Sequence, residues 1–199
     1  MVIVSGKDPI GATPLDDYSD LKLDYITTKK ELYEAEFANI TSTIGKYLLK
    51  SFSIDKLMTS TLLYRIHKDM FSEVWSWAGK KRTSNKSIGV DKKNIDIEIH
   101  KLLGDFRYWL TSGKDDLEIS AFLHHRLVYI HPFENGNGRW TRFVTNIFLK
   151  NRINKIIQWP EEEIYISDTF RNRYIAGLRN ADDGDYSELI SIHRELMQL

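Results

Sequence analysis

Apolar residues recur at the spacing of an amphipathic helix through most of the chain, which restricts the protein to a mainly helical fold. The pattern is clearest after Gly138, where Trp140, Phe143 and Ile147 mark one face of a helix. We find no internal repeat. The same spacing predicts further helices over about 27–50, 53–66, 95–110, 116–130, 166–180 and 186–197.

Two stretches break this periodicity. Residues 1–25 contain prolines, Gly11 and an acidic run, so we interpret them as an N-terminal arm preceding a single domain over 26–199. Residues 80–93 are basic, rich in Ser and Thr, and contain a Gly-Val turn, which predicts a hairpin or flap rather than a helix. The sequence therefore predicts an all-α bundle with one small β-hairpin flap.

Composition excludes several classes of protein. The 199 residues carry 28 basic and 28 acidic side chains, so there is no net field to hold nucleic acid or an anionic membrane. The absence of cysteine excludes a disulfide scaffold, a Cys-ligated metal and thiol chemistry. No apolar run approaches the roughly 18 residues of a membrane span, and the N-terminus does not resemble a secretory signal. We expect a cytoplasmic protein with neither a membrane nor a nucleic-acid partner.

Residues 131–142 are the segment that indicates chemistry. Pro132 cannot continue the preceding helix, so His131 is expected at a helix end with its ring facing a cleft. The Asn-Gly-Asn-Gly run that follows suits tight turns and leads into a helix, whose unpaired first N–H groups favour anions. Arg139 and Arg142 are three residues apart, and their guanidinium groups suit phosphate oxygens. Together these features predict a polyphosphate site beside a general base.

The same residues carry a family resemblance. Residues 131–142 resemble the Fic/DOC motif His-Pro-Phe-x-Asp/Glu-Gly-Asn-Gly-Arg-x-x-Arg. Residues 77–83, 124–127 and 174–186 are similar to the subgroup called mobile mystery protein B. The resemblance implies the Fic fold, with a flap at about 80–93 that holds a target segment and an active-site loop at 131–138.

The resemblance also implies an activity. Most characterised members transfer AMP from ATP to a Ser, Thr or Tyr hydroxyl of a target protein, with Mg²⁺ or Mn²⁺. His131 would deprotonate the hydroxyl, and Phe133 would anchor the loop in the core. Gly138, where the phosphorylating Doc branch has lysine, favours AMP transfer. The nucleotide phosphates would be held by Gly136, Asn137, Gly138, Arg139 and Arg142.

One position departs from the family pattern. Asn135 stands where the family has an acidic metal ligand, and the neighbouring Glu134 is expected to point away. A neutral amide oxygen is a poorer Mg²⁺ ligand than a carboxylate. We expect activity that is reduced or more metal-dependent, and keep Asn135 as the candidate metal residue.

The sequence leaves the regulation of this activity open. Many family members are inhibited by a glutamate that pairs with the second motif arginine, here Arg142. Glu31, Glu36 and Glu195 are imperfect candidates, and each also fits an ordinary exposed helix glutamate. A separate small antitoxin-like partner is the other possibility that the resemblance implies.

Alternative hypotheses accompany this interpretation. The protein is alternatively an idle Fic fold that only binds nucleotide or a partner, or it transfers another phosphate-containing group. A metal-dependent hydrolase built on His124, His125 and His131 is the remaining option, although we expect the first two to pack between helices. Tyr174 lies either near the adenine or half-buried in a helix. The basic run of residues 80–93 is interpreted as a solvated flap.

Overall fold

The computed structural model describes residues 17–160 and 168–198, and the described chain is predominantly helical, as predicted. Residues 1–16 of the predicted arm and the first two residues of the predicted helix 166–180 lie outside the described residues. The elements are α1 (Lys29–Leu48), α2 (Ile54–Leu57), α3 (Ser60–Phe71), a 3₁₀ turn (Lys92–Asn94), α4 (Ile95–Thr111), α5 (Asp116–Ile130), α6 (Asn137–Ile153), β1 (Ile156–Ile157), α7 (Asp168–Asp182), α8 (Ser187–Leu196) and β2 (Met197–Gln198).

Side-chain caps define where several helices begin. Thr28 and Glu31 form a reciprocal capping box at the start of α1, and Asp115 and Glu118 form another at the start of α5. The single helix predicted from 53 to 66 is wrong, because two helices are present. The chain leaves the helical region at Met58, and the Thr59 side chain accepts a hydrogen bond from the Leu62 N–H and begins α3.

Helix α5 lies at the centre of the molecule and packs against α4, α6 and α8. The main core contains fully buried aromatic side chains, among them Phe71, Trp75, Phe133 and Trp140. A smaller apolar cluster lies between α5, α7 and α8. Since α5 and α6 lie in this core, the loop that joins them, residues 131–136, is held at both ends by rigid elements.

The two-residue strands β1 and β2 pair in antiparallel fashion, with Ile157 opposite Met197. They were not predicted, because two residues are too short to show an alternating pattern. Among the described residues, no helix is both long and apolar enough to cross a membrane.

The segment 80–93 differs from the predicted hairpin. It runs as an irregular loop, with a single β-bridge from Lys81 to Phe133 in place of two paired strands. Side chains satisfy part of its backbone, since Asn85 accepts from the Lys92 N–H and Asp91 accepts from the Lys93 N–H. These local bonds replace the ladder that a hairpin would need. We keep the name flap for residues 80–93.

The described part of the N-terminal arm lies against the segment after α3. Leu21 forms a β-bridge with Trp75, and the Tyr18 ring stacks on the Trp75 indole with centroids 6.4 Å apart. The Ser76 N–H donates to the Asp20 carbonyl at 2.9 Å. Residues 18–21 therefore pack on the core of the domain.

Candidate active site

His131 occupies the C-terminal end of α5, as the sequence predicts, in a left-handed conformation (φ 50°, ψ 59°). Its N–H still donates to the Leu127 carbonyl at 3.2 Å, and Pro132 then ends the helix. The ring does not face an open cleft, which corrects that expectation. The residue is only 7% exposed, and a Cβ at Gly89 of the flap would lie 2.5 Å from the His131 Cβ.

The environment of His131 favours an unprotonated ring. Burial, and secondarily the Arg82 guanidinium, lower its pKa to about 4, although the Val128 carbonyl opposes the shift. Among the described residues, neither ring nitrogen has a partner close and aligned enough for an ordinary hydrogen bond. A neutral imidazole has one unprotonated ring nitrogen, and its lone pair can accept a proton.

Asn137 closes the loop on itself. Its side-chain oxygen accepts from the Phe133 N–H at 2.9 Å, and its side-chain nitrogen donates to the Phe133 carbonyl at 2.9 Å. The side chain is buried, so the role for this residue in the loop is structural, and only its backbone N–H belongs to the helix N-terminus. Phe133 is fully buried, as the resemblance implied.

His67 on α3 supports the loop and was missed by sequence reasoning, since an isolated histidine on an apolar helix face gives no signal. Its ring stacks on Phe133 with centroids 3.6 Å apart. Nδ1 accepts from the Gly79 N–H at 3.0 Å, so Nε2 carries the proton and donates to the Asn135 carbonyl at 3.0 Å. Burial lowers the pKa of His67 to about 3, which keeps this neutral tautomer.

The start of α6 can receive an anion. Gly136 has φ 78° at the N-cap, and no side chain in the described part of the protein caps the helix. A Cβ at Gly136 would lie 2.6 Å from the Phe71 ring, so no other residue fits. The first-turn N–H groups, beginning with those of Asn137 and Gly138, are the ones that a helix leaves without intrahelical partners.

The two motif arginines have different surroundings. Arg139 donates to the buried Glu36 carboxylate of α1 at 2.6 Å, and its guanidinium lies 4.8 Å from the Phe71 ring centroid. Arg142 is buried, and a Cβ at Gly138 would lie 3.3 Å from its Nη1. Its charge also contributes to lowering the pKa of His124 on α5. The two guanidinium groups thus differ: that of Arg139 pairs with α1, whereas Nη1 of Arg142 lies beside Gly138 in the first turn of α6.

Glu36 receives a second bond that explains its burial. The Trp75 indole N–H donates to the other carboxylate oxygen at 2.7 Å. Glu36 is therefore no ordinary exposed helix glutamate, and it pairs with Arg139 rather than with Arg142. Glu31 belongs to the capping box of α1, and Glu195 accepts two hydrogen bonds from Arg173. Of the three candidate inhibitory glutamates, Glu36 alone contacts a motif arginine among the described residues.

The loop does not form a metal site of its own. The Asn135 side-chain oxygen accepts from the Gly136 N–H at 2.6 Å, and Glu134 points to the flap, where it pairs with Lys86. Within 17–160 and 168–198, no cluster of three or more His, Asp or Glu side chains could hold a metal ion. The described residues around the loop therefore do not fit a divalent cation held by the protein alone.

His124 and His125 pack between helices, as expected. The Nε2 of His124 hydrogen-bonds the Tyr174 hydroxyl at 2.7 Å, and the Nε2 of His125 hydrogen-bonds Asp182 at 2.8 Å. Tyr174 is buried in this contact, which agrees with the helix-packing alternative for that residue. His124, His125 and His131 do not converge on one point.

Comparison with known proteins shows a family that part of this chain matches. The sequence model of the Fic/DOC family matches residues 57–149. The protein adenylyltransferase Fic of Nematostella vectensis is 30% identical over 117 residues, which cover 57% of this chain and 26% of the relative. Protein adenylyltransferase fic-1 of Caenorhabditis briggsae is 31% identical over 112 residues, covering 54% and 21%. This chain thus spans about a quarter or less of the length of these relatives.

Solved structures share the fold at low identity. The BepC protein of Bartonella tribocorum, a VirB-translocated effector solved with bound AMPPNP, superposes with a TM-score of 0.69 at 16% identity, covering 94% of this chain and 96% of that one. An N-terminal Fic domain of Bartonella quintana gives a TM-score of 0.71 at 17% identity, covering 94% and 91%.

The fold and the loop together define a helical protein with a glycine-rich loop at a helix N-terminus, next to a neutral histidine. Residues 57–149, which contain this loop, match the Fic/DOC family model, in agreement with the resemblance that the motif residues carry.

Proposed function

We propose that this protein transfers AMP from ATP to a Ser, Thr or Tyr hydroxyl of a target protein. The observation that carries the proposal is the neutral, buried His131 at one end of a loop whose other end is the uncapped N-terminus of α6. Relatives that match over the Fic domain are named protein adenylyltransferases, which supports the same reaction.

The proposed chemistry follows from this arrangement. His131 takes the proton of the target hydroxyl, and the hydroxyl oxygen forms a bond to the α-phosphorus of ATP. The bond between the α-phosphorus and the bridging oxygen breaks, and pyrophosphate leaves. The N–H groups at the start of α6 and the guanidinium groups of Arg139 and Arg142 stabilise the phosphate charge. Most of the catalytic effect comes from positioning and charge stabilisation.

The flap is the proposed place for the target. Its loop 84–90 covers His131, and Gly89 lies against the histidine, so a target segment must displace or extend this cover to bring its hydroxyl to the ring. A target segment that pairs through its backbone suits this position, because backbone pairing accepts segments of different sequence. A small antitoxin-like inhibitor is a further proposed partner, and Mg²⁺ or Mn²⁺ would arrive with the nucleotide.

A second candidate is a nucleotide-binding module without transfer. Two observations favour it: the neutral Asn135 and the Glu36 carboxylate bound to Arg139. It predicts ATP binding that is unaffected by His131→Ala.

Labelled ATP distinguishes these functions. Purified protein is incubated with a cell lysate, Mg²⁺ or Mn²⁺, and ATP labelled in turn on the α- and the γ-phosphate. We expect protein labelling from the α-position only, lost in His131→Ala and retained in His100→Ala, which alters an exposed histidine on α4. Label from the γ-position only would mean phosphorylation, and no label with either ATP would favour the binding module.

A further inference from the structure

Arg82 in the flap makes an unusual set of contacts. Its guanidinium donates to three backbone carbonyls: Nε to His131 at 2.7 Å, Nη1 to Ser84 at 2.8 Å, and Nη2 to Val90. Its own N–H donates to the Pro132 carbonyl at 2.9 Å. The residue is only 2% exposed, although it belongs to the basic run of residues 80–93, which the sequence predicted to be solvated.

A buried cation with only carbonyl acceptors needs a specific reason. Arg82 forms no salt bridge with a described carboxylate, and Glu134 and Asp91 act on it only through longer-range charge. Burying a charge is costly unless its donors are satisfied. The donors of an arginine lie on three separate nitrogens of a planar fork, whereas the three N–H bonds of a lysine lie on one atom. The three acceptors therefore explain why arginine occupies this position.

The acceptors connect the catalytic loop with the flap. One is the carbonyl of His131, a non-glycine residue held in the left-handed region. The other two, on Ser84 and Val90, lie at the two ends of the loop that covers the histidine. Within that loop, a Cβ at Gly89 would lie 2.5 Å from the His131 Cβ and 3.2 Å from Nη2 of Arg82.

We propose that Arg82 is a positioning residue for His131, holding the histidine backbone in its left-handed conformation and closing residues 84–90 over the ring. It acts through the His131 carbonyl and the loop, and does not touch the reacting atoms. The expected loss of AMP transfer rests on the proposed function. The role of Arg82 in holding the His131 backbone and residues 84–90 rests on the hydrogen bonds alone.

The charges around His131 give the proposal a second readout. Arg82 and Lys86 face the histidine from the flap, and both lower its pKa. Glu134 partly neutralises Lys86 through their ion pair, and Asp91 faces Arg82. Removal of the Arg82 charge should therefore raise the pKa of His131, while burial keeps it below the ordinary value.

Two substitutions separate charge from geometry. Arg82→Lys keeps the cation but loses the fork, and Arg82→Gln loses both. Lys92→Gln is the matched control, because Lys92 is exposed and donates to a backbone carbonyl of the same segment, that of Thr83, without contacting His131. Each protein is assayed for AMP transfer at varied ATP, and the His131 ring is titrated by NMR.

In both Arg82 variants we expect kcat to fall by about 100-fold, the effect of a small misplacement of a catalytic group, with KM for ATP unchanged within about twofold. The pKa of His131 should rise in Arg82→Gln and stay low in Arg82→Lys. The control should match the wild type. A kcat within about twofold of wild type in either variant would overturn the proposal.

A measurement on the wild-type protein covers the case in which the variants do not fold. The Arg82 Nε–H, bonded to the His131 carbonyl, should exchange with solvent much more slowly than the Nε–H of the exposed Arg107. Equal exchange rates would overturn the proposal. Should wild-type protein show no transfer at all, the proposed function fails, while the exchange rate and the His131 titration still decide the role of Arg82.

Discussion

At the residue scale, Asn135 is the position of the loop that departs from the Fic/DOC motif. Asn135 turns its side-chain oxygen to the Gly136 N–H, and it brings no charge to the loop. An aspartate of the same size could keep that hydrogen bond with one oxygen and leave the other for a cation. The difference between the two residues is thus mainly one of charge.

Asn135→Asp is predicted to lower the Mg²⁺ concentration needed for half-maximal AMP transfer. An added unit charge about 4 Å from the metal is worth roughly 1–4 kcal/mol, depending on the effective dielectric, which corresponds to at least about fivefold in affinity. The measurement is a Mg²⁺ titration of transfer at fixed ATP, with Asn94→Asp in the 3₁₀ turn as the control. An unchanged titration would contradict this account of Asn135.

Glu36 gives a second prediction at this scale. Glu36→Gln keeps the shape of the side chain but leaves Arg139 without its carboxylate, so we expect a loss of about 3 kcal/mol in the free energy of unfolding and no gain in transfer. Glu34→Gln, exposed on the same helix, should change stability by less than about 0.5 kcal/mol. Urea unfolding and the transfer assay measure both. Increased transfer in Glu36→Gln would instead show that Glu36 is inhibitory.

At the element scale, the sequence predicted much of what positions the site. The bounds of α5 agree with the prediction, because Asp115 caps its start and Pro132 ends it. The motif spacing predicted the loop and the start of α6. It could not predict the burial of Arg82 or the support from His67, since both depend on long-range packing between the flap, α3 and the loop. The break at Met58 was missed because apolar spacing continues across it.

We expect that the junction between the loop 131–136 and α6 tolerates no side chain at position 136. Gly136→Ala places a Cβ within 2.6 Å of the Phe71 ring at positive φ, and we expect it to lose at least about 2 kcal/mol in the free energy of unfolding. Gly104→Ala, in α4 with no neighbour within 4 Å, should gain about 0.5–1 kcal/mol. Urea unfolding of the two variants tests this, and a similar effect at both positions would contradict the packing described for Gly136.

At the scale of the whole molecule, several histidines are buried in neutral form. His67, His131 and His193 have pKa values lowered by burial to about 3, 4 and 3, and that of His124 lies well below its ordinary value. In the unfolded chain these groups titrate near their ordinary pKa of about 6.5. Below that pH the unfolded state binds more protons, so acid favours unfolding.

We therefore predict that the protein is most stable above about pH 6.5 and loses stability as the pH falls from there toward 4, before most carboxylates titrate. Thermal unfolding between pH 8 and pH 4 measures the loss. His100→Gln, which alters an exposed histidine, should follow the wild-type profile. A melting temperature that stays constant from pH 7 to pH 5 would show that the histidines are not buried as described.

The central claim concerns which bond of ATP breaks, and the leaving group reports this directly. In a lysate containing targets, pyrophosphate released and AMP attached to protein are measured together, beyond a lysate-only background. The account predicts equal amounts of the two, both abolished by His131→Ala. Release of ADP in proportion to protein labelling, or pyrophosphate release that persists in His131→Ala, would contradict it.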